Sequence, residues 1–337
     1  MKAVRGMLIG VSTASGPVRE VTVRDDMAIC AENLRKTFRG AVAVDDVSLH
    51  VPAGTVCGVL GPNGAGKTTT VRMLATLLAP DSGNAYVFGR NIVTQATAVR
   101  SLISLTGQYA SVDEDLTAIE NLELFARLLG FRGRRARSRA IELVDRFGLS
   151  AAANRPVSGF SGGMRRRVDL AASMIRRPAL LFLDEPTTGL DPGTRAEMWS
   201  ATRELVGEGT TVLLTTQYLE EADQLSDSLV VIDAGRVVAA GDADTLKDRV
   251  GARSLHIDLV DRGHSVAAAA VIESVLGAPV SVDPTGVQLV TTIADPAGSA
   301  RVVVALQTAG IEVAEVNVRR PSLDDVFFSI TRPKVPA

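Results

Sequence analysis

The sequence predicts an α/β protein, with buried strands joined by helical crossovers, followed by a small α+β domain. Three observations predict it. A glycine-rich run, Gly61–Thr68, lies between an apolar stretch of strand length and a helical stretch. Two more short apolar runs, Leu180–Leu183 and Thr211–Thr215, each follow a helical stretch, as parallel strands joined by crossovers do. Near Ala243–Ala252 the pattern changes, and shorter strands and helices alternate towards the C-terminus.

The chain has 337 residues, too many for one small domain and suited to one large or two ordinary ones. An apolar share of 46% supplies a core, and a net charge of −2 argues against a general nucleic-acid binder. Apolar runs such as Val266–Ile272 stop far short of the roughly 18–20 residues that span a bilayer. Two cysteines, Cys30 and Cys57, suggest no disulfide framework; Cys57 reads as a small hydrophobe in a buried strand. Residues 1–26 lack the apolar stretch of a secretory signal and read as a flexible extension, or as sequence upstream of a start at Met27.

Ala28–Leu34 and Val47–Val51 read as strands, and Thr55–Leu60 as a strand that ends in the glycine-rich turn. Thr68–Leu78 reads as a helix stopped by Pro80, Asp81 and Gly83. Thr117-Ala118-Ile119-Glu120 has the capping-box spacing, and Leu122, Phe125, Leu128 and Leu129 follow at helical intervals. Between Leu116 and Leu149 the expectation is helix, an arginine-rich turn over Arg132–Arg139, then helix, with the charges on a solvated face. Val230–Ile232 and Val237–Ala239 read as a hairpin with Gly235 in its turn. In the appendix, Ser254–Val260, Val287–Thr292 and Ile311–Val318 read as strands, and Val266–Leu276 and Arg301–Thr308 as helices. It gathers no catalytic cluster, so binding, regulation or dimer support is expected of it.

Gly61-Pro62-Asn63-Gly64-Ala65-Gly66-Lys67-Thr68 satisfies G-x-x-x-x-G-K-[ST], with a strand before it and a helix after it. Glycines let the backbone wrap a phosphate, and the helix N-terminus adds partial positive charge. Lys67 is placed to reach the β- and γ-phosphates of ATP, and Thr68 to hold Mg²⁺. Leu180–Leu183 runs into Asp184 and Glu185, two carboxylates that are costly at a buried strand end unless used. Asp184 suits a Mg²⁺-associated carboxylate, and Glu185 a group polarising the attacking water. Ser161-Gly162-Gly163 opens a helix with Met164, Val168, Ala171 and Ile175 on one face, a second anion site. One ATP does not need two such sites, which suggests a loop closing over a partner's nucleotide.

In this order the motifs resemble the nucleotide-binding subunit of an ATP-binding cassette (ABC) transporter, from about Ala28 to Gly241. The resemblance implies a P-loop NTPase fold, with a mixed sheet core, an antiparallel β subdomain and an α-helical subdomain over about 109–178. It sets the ATP-binding domain at 27–245 and an accessory α+β domain at 246–337. It implies that Gly61, Pro62, Asn63, Gly64, Ala65, Gly66, Lys67, Thr68 and Thr69 hold the nucleotide and that Phe38 stacks on adenine. Gln108, after a strand at Leu102–Leu105, becomes a sensor of Mg²⁺ and of the attacking water. Ser161, Gly162 and Gly163 contact ATP on the opposite subunit, and Gly189-Leu190-Asp191 communicates between the two sites.

Two departures qualify this. Gln217 stands where most such subunits have histidine, and an amide donates a hydrogen bond but does not become cationic near neutral pH. Met164 replaces the usual glutamine, and Phe160 the usual leucine. Slower or looser coupling of hydrolysis is the hypothesis these raise. Together with Arg165-Arg166-Arg167, Thr215–Asp223 and the tail Arg320–Phe327, they resemble the daunorubicin-resistance ATP-binding family. That resemblance implies an ATPase of a drug or lipid exporter. Its partners are a separate transmembrane permease and a second copy, or a related subunit, at the cytoplasmic face of the cell membrane, with no nucleic acid. The rival reading is a soluble ABC ATPase acting on ribosomes or nucleic acid, but neither a second cassette nor a long coiled-coil insertion is visible.

Overall fold

The computed structural model describes residues 26–107, 112–250 and 253–331. The extension before Asp26 and the expected sensor Gln108 lie outside the described residues.

Along the chain, β1 (Met27–Phe38) and β2 (Ala41–Pro52) form a hairpin, β3 (Val56–Leu60) enters the glycine-rich loop and α1 (Lys67–Leu74) leaves it. Then come β4 (Ser82–Val87), β5 (Arg90–Asn91), α2 (Ala96–Arg100) and β6 (Ile103–Thr106). Three helices follow, α3 (Ala118–Leu128), α4 (Arg134–Arg146) and α5 (Gly162–Ser173). Next are β7 (Leu180–Asp184), α6 (Pro192–Gly207), β8 (Thr211–Thr216), α7 (Leu219–Leu225), the hairpin β9 (Ser228–Asp233) and β10 (Arg236–Gly241), and α8 (Ala243–Val250). The last stretch holds β11 (Arg253–Leu259), α9 (Ser265–Leu276), β12 (Val280–Val282), β13 (Gln288–Ile293), α10 (Ala297–Thr308), β14 (Val313–Arg319) and α11 (Leu323–Thr331).

Three sheets result. The central one has the order β10-β9-β3-β8-β7-β6, parallel except for the edge strand β10. Its inner strands β3, β7 and β8 are buried at every position, which is why they read as unbroken apolar runs rather than alternating ones. The second sheet, β2-β1-β4-β5, is antiparallel, and so is the third, β12-β13-β11-β14. The third sheet and helices α9 and α10 close on their own core of Leu255, Ile257, Ile272, Leu289, Val302 and Leu306. Helix α11 returns to the central sheet, where Leu323 and Val326 pack with Leu60, Leu229, Val231 and Leu246.

The arginine-rich stretch is not a turn. The turn ends at Gly133, and α4 begins at Arg134. Ala136, Ala140, Leu143 and Val144 are buried at helical spacing along it, and arginine is itself a good helix former. Nor is the whole face solvated. Arg139 is buried, and its guanidinium donates to the carbonyls of Ile175 (3.1 Å) and Met174 (2.7 Å) beyond the end of α5. The capping box does form at α3: Glu120 N donates to Thr117 Oγ1, and Thr117 N to Glu120 Oε2.

Candidate functional site

The loop between β3 and α1 is built for a bound anion. Gly61, Gly64 and Gly66 have φ of 158°, 80° and 107°. A Cβ on Gly61 would meet the Ile232 carbonyl oxygen at 2.1 Å, and one on Gly66 the Ala43 carbonyl oxygen at 2.6 Å. Glycine is therefore required at both by the neighbouring backbone. Gly235 N donates to the Ala65 carbonyl at 2.9 Å, and Asp45 N to the Gly235 carbonyl at 2.7 Å, so the β9–β10 turn and β2 brace the loop from behind. No side chain caps α1 at Gly66, which leaves its first N–H groups in need of an acceptor. Pro62, Asn63 and Gly64 are exposed, while Thr69 is half-buried on the first turn of α1.

Lys67 is 5% exposed and donates to the carbonyls of Gly61 (2.7 Å) and Pro62 (3.1 Å). Its ammonium lies 3.9 Å from Glu185 Oε1. Burial lowers its pKa from the ordinary lysine range, and the Glu185 and Asp184 carboxylates pull the other way. Asp184 ends β7, and its Oδ1 accepts from the hydroxyls of Thr215 (2.5 Å) and Thr68 (3.3 Å). Glu185 follows with φ of 49°, left-handed and strained for a side-chain-bearing residue. Its N–H is held by Thr215, by the carbonyl at 3.0 Å and the hydroxyl at 3.2 Å. Lys67, Thr68, Asp184 and Glu185 thus converge at the C-terminal ends of β3 and β7, the two parallel strands that flank β8. Gln217 is exposed just past the end of β8, and Phe38 is 45% exposed at the end of β1.

The second loop sits elsewhere. Ser161 caps α5, accepting from Met164 N at 3.3 Å, and Ser161 and Gly162 are exposed. A Cβ on Gly163 would lie 2.2 Å from Thr194 Cγ2, so this glycine lets α5 dock against the start of α6. Asp191 caps α6, accepting from Thr194 N (3.0 Å) and Oγ1 (2.6 Å), and is itself exposed. These donors hold its carboxyl below the usual range. Ser161–Gly163 and Gly189–Asp191 therefore share one face. Among the described residues, no hydrogen bond or ion pair joins Ser161–Gly163 to Gly61–Thr68.

Two contributors were not legible as site residues. Thr215 looks like any β-branched strand residue until β8 is placed beside β7. Arg166 is one of three consecutive arginines, yet it alone among them is buried. It donates to the carbonyls of Gly107 (2.6 Å), Pro186 (2.9 Å) and Asp184 (3.4 Å), and pairs with Asp169 at 3.2 Å. It ties α5 to the carboxylate strand and to the segment leading into Gln108. Met164 packs half-buried against the main core, and Phe160 lies inside it.

Comparison with known proteins agrees with this geometry. The ABC transporter family model matches residues 44–188. Daunorubicin/doxorubicin resistance ATP-binding protein DrrA of Streptomyces peucetius is 50% identical over 304 residues, covering 90% of this chain and 92% of that protein. Doxorubicin resistance ATP-binding protein DrrA of Mycobacterium tuberculosis H37Rv is 44% identical over 316 residues, covering 91% and 94%. Nod factor export ATP-binding protein I of Sinorhizobium fredii is 37% identical over 310 residues, covering 91% and 87%. Among solved structures, an ATP-binding subunit of an ABC transporter matches with a TM-score of 0.59 at 27% identity, covering 66% of this chain and 92% of that one. A dimeric ATP-binding cassette in a post-hydrolysis state, bound to ADP and Pi, matches with a TM-score of 0.58 at 25% identity, covering 64% and 98%. Near-full-length identity to drug-resistance ATP-binding proteins, on a fold that presents an uncapped glycine loop to Lys67, Asp184 and Glu185, means that this chain belongs to the ATP-binding proteins of ABC transporters, ATPases coupled to transport.

Proposed function

We propose that two copies of the chain, or one copy and a related subunit, enclose ATP between them. They would power a separate membrane permease that exports a hydrophobic drug or lipid. The observation that carries this is the separation of the two anion loops. Ser161–Gly162 is exposed, tied to the Gly189–Asp191 loop and not bonded to its own Gly61–Thr68, so it is free to meet the nucleotide of another copy. The drug-resistance and export names of the relatives supply the cargo class. Among the described residues no helix is long and apolar enough to cross a membrane, so the pathway belongs to the partner. In this reading the chain works at the cytoplasmic face, residues 27–245 form the ATP-binding domain with its helical part near 109–178, and 246–337 form an accessory domain.

The donor set fits Mg²⁺. Asp184 Oδ1 gathers the Thr68 and Thr215 hydroxyls, so three hard oxygens already meet at one point. Thr68, Asp184 and Gln108 are the residues that would hold the ion, which when bound offsets phosphate charge. Lys67 and the N–H groups of Gly61 and Asn63–Thr69 hold the phosphates, and Phe38 supports the base. Glu185 orients the attacking water and accepts its proton, with its carboxylate steered by Lys67. Gln217 donates a hydrogen bond to the γ-phosphate without adding charge. The test is reconstitution with candidate membrane permeases in lipid vesicles. Drug-stimulated ATP hydrolysis by the pair is expected, and co-purification with ribosomes without any permease would sink the reading.

A further inference from the structure

Among the described residues the most deeply buried acid is outside the phosphate site: Glu221, in α7, has no solvent exposure. One of its oxygens, Oε1, accepts from the indole Nε1 of Trp199 at 3.2 Å. The other, Oε2, makes no well-formed hydrogen bond, and neither does the nearby hydroxyl of Thr187. Burial pushes the carboxyl up, against the Thr216, Thr187 and Trp199 donors and the Arg166 charge, which favour the ionised form. A fully buried carboxyl with one oxygen lacking a well-formed hydrogen bond is costly to keep.

Its position gives it a use. Helix α6 starts directly after Asp191, and α7 starts two residues after Gln217. Three rungs join them. The Arg195 guanidinium lies 5.6 Å from the centroid of the Tyr218 ring, Trp199 bonds Glu221, and Arg203 Nη2 donates to the Gln224 carbonyl at 2.8 Å. The spacing is four residues on α6 and three from Tyr218, the N-cap of α7, to Gln224, so the rungs run along one side of both helices. The Trp199–Glu221 rung is the central one and joins the two helices through a fully buried carboxyl.

We propose that Glu221 is a positioning residue: through Trp199 it locks Gln217 and the Gly189–Asp191 loop into one body, so that what occupies the γ-phosphate position of one copy is felt on the face presented to the other. This rests on the function proposed above, in which Gln217 meets the γ-phosphate and Asp191 faces the second copy. Neither residue touches the other; α6 and α7 connect them.

Trp199 is the sole tryptophan of the chain, so its emission reports this contact directly. The experiment compares the full-length chain with Glu221→Leu and Glu221→Gln for thermal midpoint, ATPase kinetics and the ATP-induced change in tryptophan emission. Glu221→Leu should leave KM within about twofold, yet lower kcat by about tenfold or more and abolish the emission change. Glu221→Gln, which preserves the acceptor for Trp199, should restore both. If Glu221→Leu does not fold, Trp199→Phe takes its place, and the same loss of kcat is expected. A folded Glu221→Leu or Trp199→Phe chain with kcat within about twofold of the parent overturns the inference. A parent chain that hydrolyses no ATP, alone or with its permease, overturns the reading beneath it and this inference with it.

Discussion

Glu185 combines a left-handed backbone with a partly buried carboxylate 3.9 Å from the Lys67 ammonium. Strain of this kind persists only where neighbours enforce it, and here Thr215 holds the Glu185 N–H from both its carbonyl and its hydroxyl. Removing the base without changing its size should separate binding from chemistry. Glu185→Gln is expected to lower kcat by about a hundredfold or more while ATP binding, followed by equilibrium dialysis, stays close to that of the parent. Gln217→His supplies the imidazole that the resemblance leads one to expect here, and turnover should rise. An unchanged or lower kcat would show that the amide is not what limits this enzyme. Cys57 tests the core behind the loop. Burial pushes its thiol from 9.0 up to about 11, so between those values the folded chain keeps a proton that the unfolded chain releases. Stability therefore falls as pH rises through that window. Urea titrations at about pH 8 and about pH 10 should show a smaller loss in Cys57→Val than in the parent.

At the scale of elements, α4 is held by its apolar face and by one buried arginine, Arg139. Arg139 donates to two carbonyls past the end of α5; Arg139→Met should leave the Ile175 carbonyl unpaired, the Met174 carbonyl still accepting from Arg177 N, at a cost of about 1–3 kcal/mol in urea unfolding. The exposed neighbour Arg135→Met should change stability by less than about 0.5 kcal/mol. Sequence reading placed the central strands because each is a short apolar run ending in a motif, and the helices α3 and α9 because their apolar spacing is regular. It missed β4 and β12, whose exposed positions carry no alternating pattern and whose register comes from β1 and β13. It missed α11, an amphipathic helix read only as part of a family tail. Within the site, residues in motifs were legible, whereas Arg166 and Thr215 were not. Three identical arginines in a row do not say which one turns inward, and a strand threonine reveals its partner only when the strands are paired.

At the scale of the whole molecule, the proposed function makes the glycine loop, Lys67, Asp184 and Glu185 one half of a site, and the exposed Ser161, Gly162 and Asp191 the face that would meet the nucleotide of a second copy. Two copies related by a twofold axis would complete two sites at once. Sedimentation velocity of Glu185→Gln, which should bind ATP without consuming it, tests this directly. With saturating ATP and Mg²⁺ the account predicts a particle of two chains that returns to one chain in ADP. A single-chain particle in both nucleotides would contradict it.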